Sequence, residues 1–355
     1  MAQLVYSSSP HVKSPRTTRR IMIDVCIALL PACIAGCVLF GLSNPTNGWK
    51  SLMILAISCL SAVASEFVFL LCCKKSFKTI LHEFDFTSLV TGLLVGMNMY
   101  PSSKWYAALL ASVFAIVVVK MLFGGTGKNI VNPAIAGRIF AFIAFGAAFG
   151  GVTHLTNAAG QEIEGVGVLG GTLQAGATPL QTFLGGETPS MSTLLDLFLG
   201  TGVGGAIGET CKLALIIGGI YLVVRGVLNF RWPLVYIATT GVTTVIIALI
   251  GGAGFVDALK TFLPAILSGG LMLGAIFMAT DYVTTPNTKL GNYIYFLLLG
   301  VLTAVLRKAT GSEVVSFAIL LMNLLVPLFD RYIRRKPFGY VKPVKEKKSK
   351  QKEGE

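Results

Sequence analysis

IMIDVCIALLPACIAGCVLFGL, residues 21–42, holds one charged residue, Asp24. An α-helix needs about 20 mostly apolar residues to cross the hydrocarbon core of a bilayer, and this run meets that length. Ser51–Cys72, Trp105–Leu122 and Ala134–Phe149 read as further spans, with Phe86–Met99 a shorter one, and so do Ala206–Val224, Pro233–Ile250, Phe262–Thr280, Tyr293–Leu306 and Val315–Phe329. The 355-residue chain is 54% apolar and 13% charged, about half the charge of a soluble domain. It lacks the polar surface to cover one large core, so the apolar mass reads as many membrane spans. The expected fold is an all-α polytopic membrane protein with about ten transmembrane helices.

Lysine and arginine set the expected orientation, because they concentrate on the cytoplasmic side. The N-terminus carries Lys13, Arg16, Arg19 and Arg20, and the C-terminus Arg331, Arg334, Arg335, Lys336 and a lysine-rich end. Both termini are therefore expected in the cytoplasm. The long loop 150–192 contains no lysine or arginine and is expected outside. Lys50, Lys104, Lys260, Arg307 and Lys308 run against the pattern. The formal net charge of +13 follows from these basic ends and does not argue for a nucleic-acid partner; the expected surroundings are lipid. The first twenty residues are polar and basic, unlike a secretory signal.

The division that follows is a cytoplasmic segment 1–20, a first five-helix repeat 21–149, an extracytoplasmic loop 150–192, a second five-helix repeat 193–330 and a basic cytoplasmic tail 331–355. The two halves share a pattern: Gly92-Leu-Leu-Val-Gly96 recurs as Gly270-Leu-Met-Leu-Gly274, each followed by another span and a glycine-containing loop. An odd number of spans per half makes the second half enter from the opposite face, as in an inverted repeat, and such folds place function at the repeat interface and at broken helices.

Three groups of residues could carry chemistry. The loop after the fourth span reads Gly124-Gly125-Thr-Gly127-Lys-Asn129-Ile-Val-Asn132-Pro133-Ala134. Its glycines permit left-handed backbone, and Asn129 and Asn132 offer donor and acceptor together, as a flavin edge requires. A tight helix–helix turn with an Asn cap explains it equally well. In the outer loop, Gly176-Ala177-Thr178-Pro179 leaves a sterically open hydroxyl with no base beside it. On composition alone this is an ordinary Gly/Thr-rich loop. The third group is acids in or beside spans, where an ionisable group is costly. Glu66 lies deepest and Asp281 ends the eighth span, so these two are candidates for an ion pathway. Asp24 is one turn from Arg20 and is expected to pair with it. Glu209 and Asp330 read as interfacial. The seven cysteines lie in or beside apolar segments and read as packing residues, and the three scattered histidines give no metal spacing.

Ser8-Ser9-Pro10-His11, Ala28-Leu29-Leu30-Pro31, the Gly124–Ala134 loop, Gly176-Ala177-Thr178 and Phe317-Ala-Ile-Leu-Leu-Met-Asn323-x-x-x-Pro327-Leu328-x-Asp330 fall in the order seen in one family. The chain resembles the NqrB/RnfD family, and its length and Ser-Pro-His start fit the RnfD branch. The resemblance implies ten spans in two inverted five-helix repeats, a fold shared with urea and ammonium channels. It implies FMN joined by a phosphoester to the threonine matching Thr178, which would make the chain a flavoprotein and a phosphoprotein. A separate flavin transferase would attach the FMN, and a second flavin, riboflavin, would be held non-covalently. It also implies a bacterial inner-membrane complex of several subunits that moves electrons between reduced ferredoxin and NAD, coupled to Na⁺ or H⁺ translocation. Ala175 stands where the family has serine. The rival reading from the fold is a solute channel without a redox role.

Overall fold

A computed structural model describes residues 16–149, 165–166, 172–173, 191–201, 204–311 and 313–334. Among the described residues the regular elements are helices, apart from a two-residue antiparallel ladder between Gly165–Val166 and Thr172–Leu173. The first half contains α1 (Thr18–Ser43), α2 (Pro45–Cys72), the short α3 (Phe77–Glu83), α4 (Thr87–Met97), α5 (Trp105–Phe114, continued by a π-helical stretch Ala115–Met121) and α6 (Pro133–Phe145). After α7 (Met191–Leu199), the second half contains α8 (Lys212–Val224), α9 (Arg231–Ile250), α10 (Phe255–Lys260), α11 (Phe262–Leu267), α12 (Leu271–Leu273, continued by π-helical Gly274–Met278), α13 (Lys289–Thr310) and α14 (Val315–Tyr332).

Among the described residues, five helices are long and apolar enough to cross a membrane: α1, α2, α9, α13 and α14. The pair α10–α11 and α12 makes a sixth if taken as one span bent by 63°. Four more apolar segments, α4, the α5 stretch, α6 and α8, are shorter. This differs from the expectation of about ten spans with only the third one short. The eleven residues of α4 rise only about 16 Å, half the ~30 Å core. The run read as Ala206–Val224 becomes helical only at Lys212. The run Phe262–Thr280 is interrupted at Ser268–Gly270, where Gly269 has φ +65°, a conformation that ends one helix before the next begins.

The protein is apolar on the outside, and its mostly apolar interior is where the buried polar side chains sit. On α1, Ile23, Ile27, Leu30, Ile34, Val38 and Leu42 form an exposed stripe at helical spacing, while Asp24, Ala28, Ala32, Cys33 and Gly36 face inward. Such a surface suits lipid, and the chain is a multi-pass membrane protein. In lipid, helices associate through close packing of small residues more than through the hydrophobic effect. The seam between α1 and α8 depends on it: a Cβ on Gly218 would stand 2.1 Å from the carbonyl oxygen of Ala28.

Two expectations about charge change. Asp24 does not pair with Arg20; its Oδ1 accepts from Arg225 Nη2 and Tyr221 Oη, both at 3.1 Å, tying α1 to α8. An i, i+4 neighbour on an exposed face loses to a guanidinium with two N–H groups directed at the same carboxylate. Arg307, an exception to the charge pattern, is buried, donating to the carbonyls of Ala265 (2.8 Å) and Ser268 (3.2 Å) and to Glu313 (2.9 Å). It is a structural cation and carries no orientation signal.

Gly218→Ala is expected to destabilise the detergent-solubilised protein by about 1–3 kcal/mol, the usual cost of overpacking. Gly254→Ala, whose nearest atom lies 3.7 Å from the added Cβ, should leave the thermal midpoint unchanged. Equal midpoints for the two variants would refute the close seam.

Candidate functional site

A cavity of about 130 Å³ opens where the loop after α5 meets the chain after α12. Its polar lining includes Thr87, Thr91, Lys120, Thr126, Asn129, Asn132 and Asp281, and its apolar walls include Val90, Leu94, Ile276 and Phe277. Two separate sequence candidates, the Gly/Asn loop and Asp281, thus share one site. Both halves of the chain contribute to it.

The loop has the geometry its glycines allow. Gly124, Gly125 and Gly127 all have positive φ, at 107°, 90° and 85°, which side chains with a Cβ rarely adopt. Beyond them Asn132 does two jobs. Its Oδ1 accepts from the backbone N–H of Ala134 at 2.9 Å and so caps α6, with Pro133 at the first helical position. Its Nδ2 donates to the carbonyl of Met278 at 2.9 Å, the last residue of the π-helical stretch in the other half. The cap reading of this loop is therefore correct for Asn132. Asn129 Nδ2 donates to Val131 O at 2.9 Å, and its side chain also reaches Asp281.

Two further asparagines complete the junction. Asn98 Nδ2 donates to Leu94 O (2.6 Å) and approaches Met278 Sδ (3.5 Å). Asn323 on α14, with its amide oriented to satisfy its neighbours, donates to Tyr295 Oη (2.8 Å) and Thr284 O (3.2 Å) and accepts from Asn132 N (3.1 Å). Sequence reading placed Asn323 in a motif without a role and did not single out Asn98.

Glu66 does not line the cavity. It reaches the site through Lys120, whose ammonium donates to Glu66 Oε1 at 2.8 Å and to Thr87 Oγ1. The Thr87 hydroxyl donates to Asp85 Oδ1, and Thr126 Oγ1 to Asp85 Oδ2 at 2.8 Å. A polar chain thus runs from the buried face of α2 to the Gly124–Gly127 loop. Burial raises the Asp85 pKa, but hydrogen bonds from Thr87 and Thr126 and the charge of Lys120 outweigh it and hold the carboxyl below its usual range. Lys120 was missed by the sequence reading because Trp105–Leu122 was treated as uniformly apolar. A cation inside an apolar run is itself the signal that could have found it.

A second buried polar cluster surrounds the break at Ser268–Gly270. Arg138 on α6 donates to Ser316 Oγ at 2.7 Å. Glu209 Oε1 accepts from Ala206 N at 2.8 Å, and Lys212 donates to Glu209 O. Glu209 is buried, whereas the sequence placed it at the interface. Asp330 stays near the surface and accepts from Asn287 N (2.9 Å) and Nδ2 (2.8 Å). Gly176, Ala177, Thr178 and Pro179 lie outside the described residues.

Known proteins share this sequence almost from end to end. Residues 5–339 match the NQR2, RnfD, RnfE family. The chain is 38% identical to the D subunit of the Na(+)-translocating ferredoxin:NAD(+) oxidoreductase complex of Acetobacterium woodii, over 98% of each chain. It is 34% identical to the D subunit of the proton-translocating ferredoxin:NAD(+) oxidoreductase complex of Clostridium ljungdahlii, over 94% of this chain and 95% of that one. It is also 34% identical to the D subunit of the ion-translocating oxidoreductase complex of Stutzerimonas stutzeri, over 90% and 92%.

Asn132→Ala removes the α6 cap and leaves the Met278 carbonyl unpaired. The expected loss is about 2–4 kcal/mol, a cap and a buried orphan together, read as a lowered thermal midpoint. Asn129→Ala, which gives up the contacts to Val131 and Asp281 but caps no helix, should cost less. The reverse order would remove Asn132 from the centre of the junction.

Proposed function

Given that the chain belongs to the NQR2, RnfD, RnfE family, we propose that it is the membrane-embedded D subunit of an ion-translocating ferredoxin:NAD oxidoreductase complex. The observation that carries this reading is the near end-to-end correspondence with three D subunits whose names share that activity or its ion-translocating class. As such a subunit it works with the other subunits of the complex, through which ferredoxin and NAD exchange electrons with it. The solute-channel reading has no comparable support. Because two of these relatives are named for different ions, Na⁺ in one and the proton in the other, the coupling ion is left as Na⁺ or H⁺.

The proposed arrangement is ten crossings in two inverted five-helix repeats. The five long helices, the bent pair and the four shorter apolar segments supply that number. Assigning Arg307 to the interior removes one of the five exceptions to the charge rule, which supports cytoplasmic termini in the bacterial inner membrane.

The proposed cofactors are FMN, covalently attached to Thr178 by a flavin transferase, and a non-covalent riboflavin. Flavins supply one- and two-electron redox chemistry, and the protein supplies position and electrostatics. For riboflavin the side chains around the cavity fit in kind: apolar walls for the ring faces, and Thr87, Thr91, Thr126 and Asn129 for a polar edge. Asn132 is already engaged by both its oxygen and its nitrogen. At about 130 Å³ the cavity is smaller than the 300–1,000 Å³ of small-molecule sites, so binding there requires the Gly124–Gly127 loop to move outward. Glu66 and Asp281 are proposed to line the ion route, one behind Lys120 and the other on the cavity wall.

Two experiments test these parts separately. Co-expression with a flavin transferase should give a chain that fluoresces on a denaturing gel and gains the mass of FMN, and Thr178→Val should abolish both. A fluorescent Thr178→Val chain would move the attachment elsewhere. For the ion route, Glu66→Gln and Asp281→Asn in the assembled complex should lower ion transport at least tenfold per electron transferred. Unchanged coupling in both variants would dismiss it.

A further inference from the structure

Helices α8 and α9 follow each other in sequence but do not close on each other. Between them runs an apolar groove of about 520 Å³, bordered by α8 from Ile216 to Val224 and by α9 from Phe230 to Ala238, with Phe262 and Ile266 of α11 also lining it. The lining positions recur at helical spacing, so each helix turns a continuous apolar stripe toward the groove. Each border rises about 12 Å, close to the roughly 15 Å that one leaflet contributes to the hydrocarbon core.

The shape of the groove selects its occupant. Spread over that depth, the volume gives a cross-section of about 40 Å², roughly half that of a helix about 10 Å across. Extended hydrocarbon chains fit it, and a further helix does not.

Its mouth is basic. The groove starts at the loop 225–230 that joins the two helices. Arg231, in the first turn of α9, is exposed and makes no ion pair among the described residues. Helical side chains lean toward the start of their own helix, which carries the Arg231 guanidinium toward the membrane surface. Arg16 adds charge at the same loop, where it donates to the carbonyl of Gly226 at 3.1 Å. Arg225 is engaged by Asp24, so that carboxylate leaves the charge of Arg231 uncompensated. Basic pockets between transmembrane helices hold anionic lipid head groups. The inner wall matters as well: Leu228 and Ile276 line both this groove and the polar cavity of the candidate site.

We propose that the α8–α9 groove is a specific site for an anionic phospholipid, with its acyl chains between the two helices and its phosphate at Arg231. The apolar stripes hold the chains, and Arg231 selects the charge of the head group. Lipid bound there supports Leu228 and Ile276 from behind and so steadies one wall of the cavity.

The test uses the purified, delipidated full-length chain in detergent, with the thermal midpoint as readout. The probes are palmitoyl-oleoyl phosphatidylglycerol, the phosphatidylcholine with the same chains, and glycerol 3-phosphate as the bare head group. Phosphatidylglycerol should stabilise the chain at a mole fraction about fivefold below that needed for phosphatidylcholine, the weight of one basic residue beside anionic lipid, and glycerol 3-phosphate should do nothing. Arg231→Gln should remove that preference. Ala238→Phe, which fills the groove, should remove it too, whereas Val305→Phe, at an exposed position on α13, should keep it. Equal response to the two lipids, or a preference that survives either Arg231→Gln or Ala238→Phe, overturns the proposal. If Ala238→Phe is not recovered folded, native mass spectrometry decides: from an equimolar mixture of the two lipids the unaltered chain should retain phosphatidylglycerol and Arg231→Gln should not. In the assembled complex, phosphatidylglycerol with a photoactivatable acyl chain should label residues of the groove. Labelling seen in the isolated chain but absent from the complex would give the groove to a partner subunit and overturn the proposal.

Discussion

Backbone carbonyls at the ends of short helices are the constraint on which this architecture depends. In a hydrocarbon core no water is available to accept or donate, so an interrupted helix survives only where protein groups meet its end. Here two short helices stop inside the fold, and each is completed by the other half of the chain. At the end of α4, Met97 O accepts from Gly208 N at 2.7 Å and Met99 O from Ile207 N at 2.9 Å. At the end of the α12 stretch, Met278 O accepts from Asn132 Nδ2. Neither half can therefore be completed alone, and the non-helical segments 204–211 and 122–132 are structural parts of the interior.

Buried charge follows the same plan. Lys120 and Arg307 each lie in the last turn of the helix that follows a short one; Lys120 reaches Thr87 at the start of α4, and Arg307 reaches Ser268 at the end of α11, in the break before α12. Their partners Glu66 and Glu313 are nearly as buried as they are. Such pairs are poor stabilisers, because desolvating both ions offsets most of their attraction, whereas losing one partner costs about 3–5 kcal/mol. The two pairs still differ in kind. Arg307 is fixed by two carbonyls as well as a carboxylate, so its position is over-determined. Lys120 has only side chains as partners, and side chains can rearrange.

Much of the fold could be read from the chain. The apolar runs located every long helix, and the glycine loop, the proline at the start of α6 and the Asn cap were predictable from local chemistry. What stayed hidden was long-range. Hydropathy marked the third run as short, but averaging over a window it did not show that α6 and α8 are short as well, nor the bend at Gly269. It also absorbed Lys120 into an apolar run. The partner of Asp24 is about 200 positions away, and no periodicity connects Asp24 to Arg225. At the site, sequence identified Asn129, Asn132, Glu66 and Asp281 as separate candidates. It could not show that Asn132 is committed to two helix ends, nor that Lys120 joins Glu66 to the cavity.

That linkage changes what the candidates mean together. A carboxylate deep in a helix and a polar loop at its edge could act independently if apolar packing separated them. Instead, Glu66, Lys120, Thr87, Asp85 and Thr126 form one continuous set of hydrogen bonds and charges, ending on the loop that borders the cavity. A change of charge at either end must be felt at the other, since removing one member leaves its neighbour unpaired in a low-dielectric setting. Lys120 is the one member that touches both the buried acid and the cavity wall. Its ammonium holds both at once, donating to Glu66 on α2 and to Thr87 at the start of α4, among helices whose ends the cross-half caps hold in place.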